Sequence, residues 1–122
     1  MKKIIKSLSI FMIVLIALFN IACFSSDDDL DIINGPTMSV EYTEYLGYSA
    51  EIHGTLKNNS SRSYDYVSIE FSVYDSNGNN LGTAIDNVNN IGAGESWVFS
   101  ATLFSFPSSR PTSYKLIEIT AW

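Results

Sequence analysis

From Val67 to Tyr74 the chain reads Val-Ser-Ile-Glu-Phe-Ser-Val-Tyr, with a bulky apolar residue at every second position through Val73. An α-helix would scatter Val67, Ile69, Phe71 and Val73 around its circumference, whereas an extended strand puts all four on one face. Such a segment buries its apolar side only in a sheet that is covered on that side. The same period of two recurs elsewhere. Ala50, Ile52, Gly54 and Leu56 alternate with Glu51, His53, Thr55 and Lys57. Trp97, Phe99, Ala101 and Leu103 form a later row, and Ile117, Ile119 and Ala121 run up to Trp122. Weaker strands are expected at residues 40–46 and 81–88. Between the rows lie turn formers such as Asn58-Asn59-Ser60-Ser61 and Gly92-Ala93-Gly94. The spacing predicts one all-β domain over residues 38–122, an antiparallel two-sheet sandwich of about seven strands. A closed barrel satisfies the same alternation.

The start of the chain follows other chemistry. Met1-Lys2-Lys3-Ile4-Ile5-Lys6 is basic, and residues 10–19 (IFMIVLIALF) are apolar without interruption, the layout of a helical secretory signal peptide. The lysines stay with the cytoplasmic leaflet while the apolar helix enters the membrane. Ten helical residues rise about 15 Å, roughly half the hydrocarbon thickness, which disfavours a permanent span. Asn20-Ile21-Ala22-Cys23 resembles the lipobox of bacterial lipoproteins, in which a small residue precedes an obligatory Cys; Asn20 stands where that pattern has Leu. The expected organisation is a cleaved signal peptide over residues 1–22, a lipidated Cys23, and an acidic flexible tether over residues 23–37. Acyl chains contribute about 0.8 kcal/mol per buried methylene, so attachment to the membrane is stable. Ser25-Ser26-Asp27-Asp28-Asp29 resembles the export tag that carries lipoproteins of the Bacteroidetes to the outer face of the outer membrane. The expected location is the extracytoplasmic envelope, at the outer-membrane surface if that tag is read.

Charge narrows the partners. The whole chain carries seven Lys+Arg and thirteen Asp+Glu. Loss of Lys2, Lys3 and Lys6 with the signal leaves four against thirteen, a net charge of −9. That field repels phosphate backbones, so nucleic acid is not an expected partner. Cys23 is the single cysteine, and the domain must stand without an internal disulfide.

Four segments in order resemble the FxLYD family of small extracytoplasmic domains. They are Gly54-Thr55-Leu56-Lys57-Asn58-Asn59-Ser60, Phe71-Ser72-Val73-Tyr74-Asp75 with the following Ser76-Asn77-Gly78-Asn79, Leu81-Gly82-Thr83, and Gly94-Glu95-Ser96-Trp97-Val98-Phe99. Val73 replaces the Leu of the namesake motif. The resemblance implies an immunoglobulin-like sandwich and a binding or spacer module, with no catalytic residues to carry over.

The residues that carry chemistry are sparse. One His and one Cys fall short of a structural zinc site, which takes four such ligands. His53 is expected on the polar face of its strand, and no Gly-x-Ser-x-Gly elbow occurs. Asp75-Ser76-Asn77-Gly78-Asn79-Asn80 is oxygen-rich with Asp86 beyond it, but an EF-hand needs Gly at position six and Glu at twelve, so a turn is expected. No catalytic residue, metal ligand or cofactor is assigned. Tyr42, Tyr45, Tyr48, Tyr64, Tyr66 and Tyr74 are expected near strand ends or on polar faces, as flank packing or as a contact patch. The expected function is a non-catalytic, membrane-attached module for protein or glycan contact. The alternatives are an accessory lipoprotein of a larger envelope complex and, third, a hydrolase. Intact-mass analysis of protein taken from membranes is expected to show an acylated chain beginning at Cys23, and Cys23→Ser is expected to block that modification. A chain beginning at Met1, or a bare Cys23, would sink the lipoprotein reading.

Overall fold

The structure, a computed structural model, describes residues 3–6 and 29–122; the apolar run at 10–19 and Cys23 lie outside the described residues. Seven strands follow in order: β1 (Lys3–Lys6), β2 (Leu30–Thr43), β3 (Gly47–Asn58), β4 (Tyr64–Tyr74), β5 (Asn80–Ile91), β6 (Ser96–Leu103) and β7 (Ser113–Ala121). All pairings are antiparallel. They make one ladder in the order β1-β7-β4-β5-β6-β3-β2.

The fold is all-β, and its sheet is curled. β7, β4 and β5 pair along most of their length, as do β6, β3 and β2, but β5 and β6 share only Ala84↔Leu103 and Ile85↔Thr102. Beyond that contact the strands splay, and the Asp86 carboxylate accepts the Ser100 N–H at 2.7 Å in place of a ladder partner. The inner rows of the two halves then face each other: Phe71 of β4 lies 6.0 Å from Phe99 of β6, centroid to centroid. Where two separate sheets are expected from alternation, the ladder is continuous, because a two-pair junction lets one sheet turn back on itself. On the open side, the Tyr114 hydroxyl of β7 donates to the Pro36 carbonyl of β2 at 2.7 Å, while its ring meets Phe71 edge-on.

β4 lies between β7 and β5, and Val67, Ile69, Phe71 and Val73 are fully buried. In β3, Ala50, Ile52 and Leu56 are buried, and Gly54 leaves room for the Phe99 ring. A Cβ at Gly54 would stand 2.5 Å from Phe99 Cζ, closer than real carbons approach. β7 departs from simple alternation. Its register jumps from Glu70↔Glu118 to Phe71↔Leu116, leaving Ile117 as the extra residue of a bulge. Leu116, rather than Ile117, therefore joins Ile119 and Ala121 in the core.

The domain also begins earlier than residue 38. Leu30 is buried in the core and Ile32 packs against it, so Leu30–Thr37 belong to β2 and not to a flexible tether. Leu30 and Ile32 extend the inward row, and the Asn34-Gly35-Pro36 run is absorbed as register shifts instead of ending the strand. The Asn59 N–H donates to the Asp29 carbonyl, and the Tyr64 hydroxyl to an Asp29 carboxylate oxygen at 3.0 Å. Among the described residues the core cluster runs from Leu30 to Ala121.

A polar side chain at the end of β3 sits inside this apolar frame. Asn58, fully buried at the end of β3, donates through Nδ2 to the carbonyls of Arg62 (2.8 Å) and Gly92 (3.0 Å). Its Oδ1 accepts the Ser60 N–H (3.0 Å) and hydroxyl (2.7 Å). Its backbone N–H donates to the Glu95 carbonyl, and its carbonyl accepts from Gly94. One residue thus fastens the β3–β4 turn to the β5–β6 turn. Asn58→Ala is expected to lower the unfolding free energy by about 1–3 kcal/mol, since it strands buried carbonyls. Leu30→Ala is expected to cost about 2–5 kcal/mol as a buried large-to-small change. Denaturant titration of both variants checks this, and unchanged stability in the Leu30 variant would return that residue to the tether.

Candidate functional site

The register sorts the loops into two poles. At one lie Asp29, the start of β2, the Asn58–Arg62 turn, the Gly92–Glu95 turn and Trp122. At the other lie the β2–β3 turn, the β4–β5 turn and the long β6–β7 connection over residues 104–112. Cys23 precedes the first pole and lies outside the described residues.

His53 lies on the outer face of β3, its side chain 43% exposed, with Nε2 3.3 Å from a Glu51 carboxylate oxygen two residues earlier on the same face. Ser100 is its cross-strand neighbour on β6. No hydrogen bond joins the Ser100 hydroxyl to the imidazole among the described residues. Also among the described residues, no three His, Cys, Asp or Glu side chains gather in a way that could hold a metal ion.

The oxygen-rich run closes on itself as a turn. Asp75, only 7% exposed, accepts the N–H groups of Asn77 and Asn79 at 2.9 Å each through Oδ1 and the Asn79 amide at 3.1 Å through Oδ2. Gly78 completes the turn at φ +83°, a conformation side chains rarely adopt. These donors hold the Asp75 carboxyl below its ordinary range, the Asn79 backbone N–H most strongly, then the Asn79 side chain, with Asn77 and the Ser109 hydroxyl adding to it against the opposing effect of burial. Asp86 lies elsewhere, bonded to Asn87 and Ser100. An open groove of about 540 Å³ lies beside the turn, lined by Tyr74, Asp75, Thr112, Tyr114 and Lys115 among others.

The structure divides the six tyrosines. Tyr64 is buried in the core, and Tyr66 stacks on Trp122 at the first pole, ring centroids 4.9 Å apart. Tyr74 lines the groove. Tyr42 and Tyr48 pair across β2 and β3 at the second pole, 4.8 Å apart, and Tyr45 at the tip of that hairpin is 99% exposed. Leu46, Phe104 and Phe106 are also exposed there. The Tyr48 N–H donates to the Pro107 carbonyl at 3.0 Å, which brings the 104–107 loop against the hairpin, and the Arg110 guanidinium stands 5.9 Å from the Tyr48 ring centroid. The second pole is therefore an aromatic rim. Leu46, Phe104 and Phe106 were not singled out by sequence reasoning; Phe-Ser-Phe-Pro in a segment without alternation is the signal that marks them.

No family model matches the chain, and no curated protein matches it. Among solved structures, a covalently inhibited Bacteroides uniformis β-glucuronidase 2 aligns at a TM-score of 0.49 and 18% identity, over 70% of this chain but 11% of that one. IrmA from Escherichia coli aligns at 0.47 and 14% identity over 76% of both chains. A DUF1425 family member from Shewanella sp. pv-4 aligns at 0.45 and 16% identity, over 73% of this chain and 75% of that one. The chain thus corresponds to only a small part of the glycosidase.

The Asp75 turn generates a pH prediction. A carboxyl whose folded-state pKa is depressed contributes stability that is fully present above its unfolded value, about 3.9, and is lost as pH falls through the folded value. Between pH 5 and pH 2 the wild-type melting temperature is expected to fall more steeply than that of Asp75→Asn. Parallel melting curves across that range would refute the assignment.

Proposed function

We propose that this chain is a non-catalytic envelope lipoprotein, held by lipid on Cys23, whose domain is an FxLYD-like, immunoglobulin-like sandwich folded at the β5–β6 junction. Its task in this reading is contact with a protein or glycan. The observation that supports it is the polarity of the domain: β2 enters at the pole that follows Cys23, and the exposed Tyr45, Leu46, Phe104 and Phe106 crowd the opposite one. Five residues lie between Cys23 and Asp29, six steps of chain with a reach of at most about 20 Å. A domain on so short a leash projects its far pole away from the membrane. Aromatic side chains offer large contact area at little conformational cost, which suits that pole to recognition.

The Ser25–Asp29 run supports export to the outer face of the outer membrane. Protease treatment of intact cells is expected to remove the domain, and protection until the cells are broken would defeat the export reading. In envelopes crosslinked through the far pole, the Tyr42→Ser, Tyr45→Ser, Phe106→Ser triple variant is expected to lose its partner while keeping its melting temperature within a few degrees. Retention of the crosslinked partner by that variant would move the contact surface elsewhere.

A further inference from the structure

We propose that the edge of β7 is a strand-addition site for an extended partner segment that sets an apolar residue beside Ile119 and a basic residue, next in sequence, beside Glu118. The proposal rests on the reading that residues 1–22 are removed, which bares this edge. Within the full chain the edge is taken by β1, whose register sets Lys3 against Ala121, Ile4 against Thr120, Ile5 against Ile119 and Lys6 against Glu118. β1 is the last strand of the ladder and pairs with β7, so its removal leaves the outer hydrogen-bonding groups of Glu118–Ala121 unpaired. An edge of this kind is a template for another strand, and backbone bonds supply much of the affinity when a peptide extends a sheet.

The rows that cross the sheet define which segment fits. The inner row runs Ile69–Ile119, so a residue added beside Ile119 continues an apolar face. The adjacent outer row places Glu70 of β4 directly opposite Glu118 of β7. Among residues 29–122 neither carboxylate forms an ion pair with a cation, and like charges directly opposite on neighbouring strands destabilise a sheet. A basic residue at the next position of that row relieves the repulsion, and in β1 that register position is held by Lys6. The acidic character of the chain after residue 22 draws basic segments to it more generally. The bulge at Ile117 limits the flat edge to the four residues that β1 covers.

The test uses the chain from residue 23 with Cys23→Ser, isotope-labelled, and the peptide Lys-Lys-Ile-Ile-Lys-Ser as probe. Amide exchange at residues 117–121 is expected to slow at least tenfold in a saturable manner. The peptide carrying Ile5→Pro is expected to have no effect, and Glu118→Lys in the protein to weaken binding at least fivefold with an unchanged melt. Raising the salt concentration is expected to weaken binding as well. Protection confined to β2, no protection at millimolar peptide, or a dimer that protects β7 without peptide would each overturn the proposal, the last because the edge would then serve a second copy. Failure of the lipoprotein reading shows separately, as retained Met1 in membrane-derived protein.

Discussion

Asn58 holds the two halves of this domain in register. A β-sheet that curls through a two-pair junction has little to fix the angle between its halves, and apolar packing is non-directional. The buried amide supplies direction. Its donors reach the carbonyls of Arg62 and Gly92, and its acceptor takes Ser60, so the turn leaving β3 and the turn entering β6 share one centre. An aspartate there would face those carbonyls with the wrong charge, and a leucine would strand them, so few other side chains can serve.

The opposite pole repeats the device with an anion. Asp75 gathers two backbone N–H groups and the Asn79 amide and thereby shapes the β4–β5 turn, which the Thr112 N–H joins to the β6–β7 connection through the Tyr74 carbonyl. Between the poles the seam is closed by Tyr114, whose hydroxyl reaches Pro36 while burial pushes its own ionisation upward. Polar side chains thus set the ends and the seam, and the apolar rows fill the space between. This division leaves exposed apolar side chains without a part in the core, and it is these that form the rim of Tyr42, Tyr45, Leu46 and Phe106.

The two proposed contact surfaces differ in character. The far-pole rim offers side chains, and its partner would be selected by shape and stacking. The β7 edge offers backbone, and its partner would be selected by an apolar residue beside Ile119 and a basic one facing the Glu70–Glu118 pair. The rim lies at the pole opposite Asp29, where the chain leaves for Cys23, whereas the Glu118–Ala121 edge lies along the end of β7 on the Asp29 side.

Alternation along the sequence was enough to make this an all-β chain and to name the inward residues of β3, β4 and β6, because a strand's side-chain period is a local property of extended backbone. Turn chemistry at Asn58, Asp75 and Gly78 was legible for the same reason. Other features depended on neighbours. The bulge that turns Leu116 inward in place of Ile117 exists only in register with β4, and Leu30 and Ile32 enter the core only because β3 offers them a partner, so the acidic run and the Asn34-Gly35-Pro36 breaker hid the first half of β2. The grouping of Tyr42, Tyr45 and Tyr48 with Phe104 and Phe106, apart from Tyr64 and Tyr66, was decided by which loops the curled sheet brings to one pole. Local periodicity fixes which way a side chain points; only long-range pairing fixes what it meets.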